Sequence, residues 1–306
     1  MIMPRYTGRF APTPSGPLHF GSLVTALASW LDARAVNGHW QLRIEDTDTP
    51  RSSRRAVDTI LRQLEAFGLY HDGAVCHQSE RHDAYQQALD RLHEQGVAYP
   101  CSCTRRELQG YRRYPGWCRT GPCHPERELA WRLRTDTGPS VISWQDRRLG
   151  TQRWPLAEQG DVILRRRDGI WAYQLAVVID DAAQQITDIV RGSDLLDNTP
   201  WQRYLQLALG LPAPRYLHLP LIVTASGQKL SKQNLAPALP FEGAAPRRLL
   251  HQALAALGQR PADELARAPV ARQLAWAVAH WSAENIGSAA HYPTPGPIDD
   301  CSHDSR

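Results

Sequence analysis

The segment Arg9-Phe10-Ala11-Pro12-Thr13-Pro14-Ser15-Gly16-Pro17-Leu18-His19-Phe20-Gly21-Ser22 joins two different periodicities. Before it, residues 5–11 read as a short strand. After it, Leu23 to Val36 places Ala and Leu at helical spacing, and Gly38 is expected to close that helix. Trp40-Gln41-Leu42-Arg43-Ile44 then alternates as a second strand. Strand, Gly/Pro turn, helix, strand is the opening of a βαβ unit. The turn meets the helix N-terminus, where unpaired backbone N–H groups and the helix dipole favour an anion. Gly16 and Gly21 allow backbone to approach a ligand closely, and His19 can donate to phosphate oxygens.

Working outward, helices are expected over 52–68 and 80–96. Residues 97–125 break the pattern: they hold four of the six cysteines and little apolar periodicity, which suggests an insertion. An α/β pattern returns from Asp161 to Gln206. Within it, Tyr173 to Ile179 reads as a buried strand-like run ending at Asp180-Asp181. Leu217 to Thr224 reads as another strand, and 246–258 and 269–282 as helices. The proline-rich tail from Tyr292 is expected to be loose.

Composition narrows the class. The chain has 306 residues, is 42% hydrophobic and carries a formal net charge of +4. It can bury a core, and its weak basicity is compatible with a nucleic-acid partner. No apolar run approaches the roughly 20 residues that span a bilayer. Met1 to Arg5 has no apolar signal core, so no export and a cytoplasmic location are expected. Of 35 Lys and Arg residues only two are lysine, leaving 33 arginines. Both lysines fall in Lys229-Leu230-Ser231-Lys232-Gln233. Two flexible ammonium groups beside Gly227 and Ser231 suit a loop that closes on phosphates. Without a signal peptide, the cysteines suggest metal or free thiols. Cys101-Ser102-Cys103 and Cys118 have a spacing that suits tetrahedral Zn²⁺, although spacing by itself leaves reduced structural thiols open. Cys76 and Cys301 match no pattern.

The first motif resembles the HIGH signature, and Lys229–Gln233 the KMSKS signature, of class I aminoacyl-tRNA synthetases. His19-Phe20-Gly21-Ser22 departs from HIGH at its second and last positions, and Leu230 and Gln233 depart from KMSKS. Those departures, the Pro-Thr-Pro-Ser-Gly context and Arg43-Ile44-Glu45-Asp46-Thr47-Asp48 resemble the glutamyl and glutaminyl branch. The resemblance runs from about residue 5 to residue 240. It implies an α/β fold: a Rossmann-type parallel-sheet catalytic domain with a small zinc-binding insertion and a short helical C-terminal region. The corresponding divisions are 5–97 and 161–240 for the two Rossmann halves, 98–160 for the insertion, 241–291 for the helices and 292–306 for the tail.

The resemblance also implies a ligase that activates L-glutamate with ATP and Mg²⁺. A glutamate pocket needs cationic groups for two carboxylates and an anion for one ammonium. Arg9 and Arg191 can grip carboxylate bidentately, Glu45 can receive the ammonium, and Tyr173 can add a hydroxyl. Phe10, Ala11, Pro12 and Thr13 complete the expected glutamate-binding set. His19, Gly21, Lys229 and Lys232 form the ATP set, with His19 and Lys232 as the catalytic pair. For zinc, the resemblance implies Cys101, Cys103, Tyr114 and Cys118, while Cys123 and His124 are competing fourth ligands. About 70 residues follow Lys232, which resembles a truncated subgroup of the branch. That subgroup activates glutamate without tRNA and transfers it to the queuosine base in the anticodon loop of tRNA(Asp). A monomer is expected. The alternatives are a compact glutamyl-tRNA synthetase charging the 3′ end of tRNA(Glu), a silent tRNA-binding paralogue, or a nucleotidyltransferase sharing only the HIGH-like turn. Arg105-Arg106, Arg112-Arg113 and Arg165-Arg166-Arg167 could meet phosphates, but so could any solvated basic face.

Overall fold

Residues 5–48, 52–223, 237–287 and 291–293 are described by a computed structural model. β1 (Thr7–Phe10) leads through the proline-rich turn into α1 (Phe20–Arg34) and back to β2 (His39–Ile44), which lies parallel to β1. Leu23, Leu27 and Leu31 together with Ala26, Ala28 and Ala33 are buried, so α1 is covered on nearly every side. Its end differs from expectation. Asn37, not Gly38, takes the left-handed conformation, with φ 54°. Gly38 is required for space instead, because a Cβ there would sit 2.8 Å from the Tyr6 carbonyl oxygen.

α2 (Arg54–Ala66), capped by Ser53, precedes β3 (Cys76–His77) and α3 (His82–Glu94). β4 (Ala98–Cys101), β5 (Ala130–Leu133), β6 (Val141–Asp146) and β7 (Gly150–Pro155) follow, with the short α4 (Leu156–Gln159). Next come β8 (Ile163–Arg165), α5 (Tyr173–Ala183), β9 (Asp188–Gly192) and α6 (Thr199–Leu209). β10 (Arg215–Leu219) and β11 (Leu221–Val223) are separated by Pro220. α7 (Ala245–Ala256), α8 (Val270–His280) and β12 (His291–Pro293) complete the described elements.

Three sequence readings are corrected. Tyr173–Ile179 is helical, not a strand. Leu175, Ala176, Val177 and Val178 are all buried, and a helix surrounded by protein shows the same continuous apolar run as a buried strand. The expected strand at 217–224 is broken by Pro220, which cannot donate to a ladder. Tyr292 and Pro293, expected in a loose tail, pair in parallel with Ile222 and Val223.

β1, β2 and β3 form one parallel sheet; β9, β10 and β6 form another, extended by β7 antiparallel to β6. Thr187 joins the two. Its backbone N donates to the Thr7 carbonyl at 2.9 Å, and its Oγ1 accepts from Thr7 N at 2.9 Å. The combined order β3-β2-β1-β9-β10-β6 therefore reverses direction at β1. Such a switch point opens a crevice outside the strand carboxyl ends. α1, α2, α7 and α8 contribute to one core, and α3, α5, α6 with β5 and β6 to a second. β4, β5 and β8 form a separate antiparallel sheet beneath the cysteine-rich segment.

Candidate active site and metal centre

A cavity of about 990 Å³ occupies the crevice. It is lined by Arg9 and Phe10 at the end of β1, Ala11, Pro12 and Thr13 in the turn, His19 and Gly21 at the start of α1, Glu45 after β2, Tyr173, and Arg191 on β9. Every expected glutamate-binding residue, and the two expected ATP-binding residues within the described chain, thus share one space. Lys229 and Lys232 lie outside the described residues.

Arg191 is 3% exposed, yet no carboxylate pairs with it among the described residues. Its Nε donates to His218 Nε2 (3.1 Å), Nη1 to Tyr173 Oη (3.1 Å) and Gln202 Oε1 (2.8 Å), and Nη2 to Thr199 Oγ1 (2.8 Å). Four of five N–H groups are thereby spent. The bidentate grip expected of Arg191 is not available; one N–H remains. Tyr173 supplies the second donor, because its oxygen accepts from Arg191 and its own proton can point elsewhere. A buried guanidinium whose partners are all neutral leaves a positive charge for an incoming anion.

Behind Arg191 sits a second layer that sequence reading missed. His218 Nδ1 lies 2.6 Å from Asp146 Oδ2, both side chains fully buried. The carboxylate keeps the imidazole proton on Nδ1, so Nε2 accepts from Arg191. Burial holds His218 below its usual pKa, consistent with a neutral ring. Arg148 Nε also donates to the His218 carbonyl. Neither Asp146 nor His218 belongs to a motif, and their 72-residue separation hides the pairing.

Arg9 faces a different environment. Its Nε is paired with Asp181 Oδ1 at 3.1 Å, and Arg43 Nη2 reaches the same oxygen at 2.7 Å. Arg43, fully buried on β2, also donates to Gln184 Oε1 at 2.7 Å. Asp181 is thus the buried counter-ion for two arginines, held ionised by them against the cost of desolvation. Adjacent Asp180 accepts from Gln78, Arg81 and Tyr85. Two consecutive acids closing an apolar run were a visible signal of buried charge partners.

Glu45 has the opposite character. Its backbone N donates to Pro12 O at 3.0 Å, which fastens β2 to the turn. No ion pair among the described residues reaches its carboxylate. Burial pushes its pKa up to about 7, only partly offset by Arg43 and Arg9. A cation arriving beside it would restore the ionised form.

His19 caps α1, its Nδ1 accepting from Ser22 N at 3.2 Å. That bond fixes the neutral tautomer with hydrogen on Nε2. A Cβ at Gly21 would lie 3.1 Å from the imidazole, so glycine is what lets the ring fold over the helix terminus.

About the cysteines, the Sγ atoms of Cys101, Cys103 and Cys118 all lie within 4.8 Å of one another. Cys103 and Cys118 are 3.6 Å apart. Tetrahedral ligands bonded at about 2.3 Å would be roughly 3.8 Å apart. Tyr114 Oη is 3.4 Å from both Cys101 and Cys103 Sγ and accepts from Cys118 N at 2.9 Å. Cys123 Sγ contacts Cys118 (3.7 Å) and the Trp117 carbonyl, and His124 Nδ1 turns towards Glu126 at 3.5 Å. The cluster could therefore hold a metal ion, with Tyr114 better placed than Cys123 or His124 as fourth donor. Arg132 Nε lies 3.2 Å from Cys101 Sγ, and its guanidinium stacks 3.9 Å over Tyr114, offsetting thiolate charge. Cys76 is half-buried on β3, away from this cluster, and Cys301 lies outside the described residues.

A parallel sheet whose strand order reverses beside a helix N-terminus is the architecture of nucleotide-binding α/β proteins, which receive their ligand at that switch point. The chain belongs to the family of class I tRNA synthetases (E and Q), catalytic domain, which matches residues 6–264. It is 55% identical over 284 residues to a glutamyl-Q tRNA(Asp) synthetase of Ectopseudomonas mendocina, covering 92% of this chain and 95% of that protein. A relative of the same name from Pseudomonas putida KT2440 is 55% identical over 291 residues, covering 94% and 95%. The glutamate-tRNA synthetase structure from Elizabethkingia anophelis superposes with a TM-score of 0.79 at 26% identity, covering 94% of this chain and 68% of that one.

Proposed function

We propose that this ligase joins L-glutamate to ATP as glutamyl-adenylate without needing tRNA, then transfers the glutamyl group to the queuosine base in the anticodon loop of tRNA(Asp). One observation supports the first step above all. A single cavity holds a buried guanidinium, Arg191, and a half-buried carboxylate, Glu45, neither of them in an ion pair among the described residues. That pair complements a zwitterionic amino acid carrying a second carboxylate. The names of the relatives, at more than half identity over almost their full length, support the acceptor.

In this reading Arg191 and Tyr173 hold one glutamate carboxylate, and Glu45 accepts from the α-ammonium. Arg9 has its Nη1 and Nη2 uncommitted among the described residues and adds charge along the turn. The α-carboxylate oxygen attacks the α-phosphorus of ATP. An O–P bond forms there as the bond to the β-phosphate breaks, and pyrophosphate leaves. His19 and the N–H groups beginning α1 stabilise the phosphates, and the ammonium groups of Lys229 and Lys232 are assigned to the same phosphates from the sequence motif that holds them. Mg²⁺ accompanying ATP would offset phosphate charge. In the second step a queuosine hydroxyl oxygen attacks the activated carbonyl, its proton passes to solvent, and AMP departs with the electron pair of the broken acyl C–O bond. Positioning and electrostatics supply the rate, and no protein nucleophile is required.

The cysteine cluster takes Zn²⁺ in this proposal, through Cys101, Cys103, Cys118 and Tyr114. Its part is structural: the described chain between Cys101 and Ala130 contains neither helix nor strand to order it. Among the described residues no helix is long and apolar enough to cross a membrane, and a cytoplasmic monomer is consistent with the proposed substrates.

The deciding experiment incubates the protein with labelled glutamate, ATP and mixed tRNA and maps the label. Label on queuosine of tRNA(Asp) is expected. Label at a 3′ adenosine would overturn the acceptor, and absence of adenylate would overturn the first step.

A further inference from the structure

A second cavity, of about 470 Å³, opens beside the first. The two lie on either side of one short segment that serves as their shared wall: Tyr173 lines the first cavity, while its neighbours Ala172 and Gln174 line the second. Arg166, lining the second, is ion-paired at 3.2 Å with Asp48, which lines the first. The lining of the second cavity is strongly cationic. Arg105 and Arg112 contribute to it, are exposed, and have no ion pair among the described residues. The only carboxylate in the lining, Asp161, is buried and already engaged by Arg119, Tyr99 and Thr135. Tyr111 also lines this cavity. It is 53% exposed and packs edge-on, at 5.1 Å, against Trp117, itself 43% exposed.

Unpaired guanidinium groups beside an exposed, braced aromatic ring match the chemistry of single-stranded RNA. The cations meet phosphodiesters, and an unstacked base lies on the ring. An acidic peptide would use the cations but leave the aromatic face unexplained. A free nucleotide would not account for the position next to the reacting centre. A loop nucleotide entering the first cavity must carry its neighbours past the shared wall, and this is where they would arrive.

We propose that the second cavity is a binding subsite for the RNA nucleotides flanking the one that is modified. Arg105 and Arg112 contact phosphodiesters, and Tyr111 stacks on a base. The inference rests on the reading that an RNA loop is the glutamyl acceptor.

The test measures two reactions separately. Glutamate-dependent pyrophosphate exchange needs no RNA. Transfer to a queuosine-bearing tRNA fraction does. The double variant Arg105→Ala/Arg112→Ala should exchange pyrophosphate normally, while its KM for the tRNA rises at least tenfold. Its slope of log affinity against log salt should shallow by about 1.4, at roughly 0.7 per lost single-strand phosphate contact. Tyr111→Ala should also raise the tRNA KM about tenfold, and Tyr111→Phe should restore it, because stacking needs the ring and not the hydroxyl. Zinc content at the wild-type level would show that variants so close to Tyr114 keep the local fold. Unchanged tRNA KM and salt slope in the double variant would overturn the proposal. So would equal loss in Tyr111→Ala and Tyr111→Phe. If the wild-type protein forms adenylate but labels no RNA, the acceptor reading itself fails and this subsite with it.

Discussion

Glu45→Gln should cripple the reaction and stabilise the unliganded protein. Burial, only partly offset by Arg43 and Arg9, raises the Glu45 pKa to about 7 from an ordinary value of 4.5. Between those values the unfolded chain has released a proton that the folded chain still holds. Stability is therefore fully present below pH 4.5 and is lost as the pH rises through 7. At about 1.36 kcal/mol per pH unit, keeping this carboxylate ionised costs the fold about 3 kcal/mol at pH 8, and under 1 kcal/mol at pH 5. Glutamine removes the charge at nearly the same volume. Denaturant titrations should show the variant more stable than wild type by about 2–3 kcal/mol at pH 8, with the gap almost closed at pH 5. Glutamate-dependent pyrophosphate exchange should fall at least a hundredfold, since the ammonium loses its charged acceptor. Saturating glutamate should close the stability gap at pH 8 by stabilising only the wild type. A gap independent of pH would refute the reasoning about burial. Near-normal exchange would remove Glu45 from the pocket.

Other perturbations separate the remaining parts. Arg191→Ala should lower kcat/KM for glutamate about a hundredfold with the circular dichroism spectrum unchanged; near-normal exchange would exclude Arg191 as a carboxylate ligand. His218→Phe, which removes the acceptor for Arg191 Nε, should raise the glutamate KM about tenfold with little change in kcat, and His218→Gln should recover most of it. A fall in kcat at unchanged KM would show that His218 does not act by positioning Arg191. Cys118→Ser should leave less than about half an equivalent of zinc in purified protein, and Tyr114→Phe should weaken zinc roughly ten- to a hundredfold in chelator competition, whereas Cys123→Ser should not. Lys232→Arg should lose most adenylate formation despite the chain's use of arginine elsewhere; full activity would make the clustering of the two lysines coincidental.

The turn at Pro12–Pro17 and the two strands beside it were legible because each has a local signature. Prolines and glycines punctuate, and β2 alternates. The approach of Arg9, Glu45 and Arg191 is what placing residues at strand ends leads one to expect, whereas Tyr173 arrives from the first turn of a helix whose apolar run reads as a strand. What was hidden depends on contacts across long separations. α5 was misread because full burial erases helical periodicity. The Asp146–His218 pair was invisible because a single buried acid and a single buried histidine leave no pattern. The bidentate expectation for Arg191 failed for a related reason. Its N–H groups are claimed by Gln202 and Thr199, which look like ordinary helix residues in the sequence. The spacing of the cysteines left the fourth ligand open, and the contacts of Tyr114 Oη with the Cys101 and Cys103 sulfurs, invisible in the sequence, favour it over Cys123, which touches Cys118 alone of the three.

The β6–β7 hairpin has one further consequence. Asp146 ends β6, the strand that pairs with β10 and reaches His218, and Arg147 beside it grips Asp32 of α1 with Nη1–Oδ2 at 2.5 Å. A segment that interrupts the chain between the two halves of the fold thus sets the orientation of the arginine at the bottom of the pocket. Grafting a differently shaped hairpin here, by recombination or design, would shift Arg191 without altering any residue that lines the cavity. The shape of the cavity is thus partly set by a hairpin that does not line it.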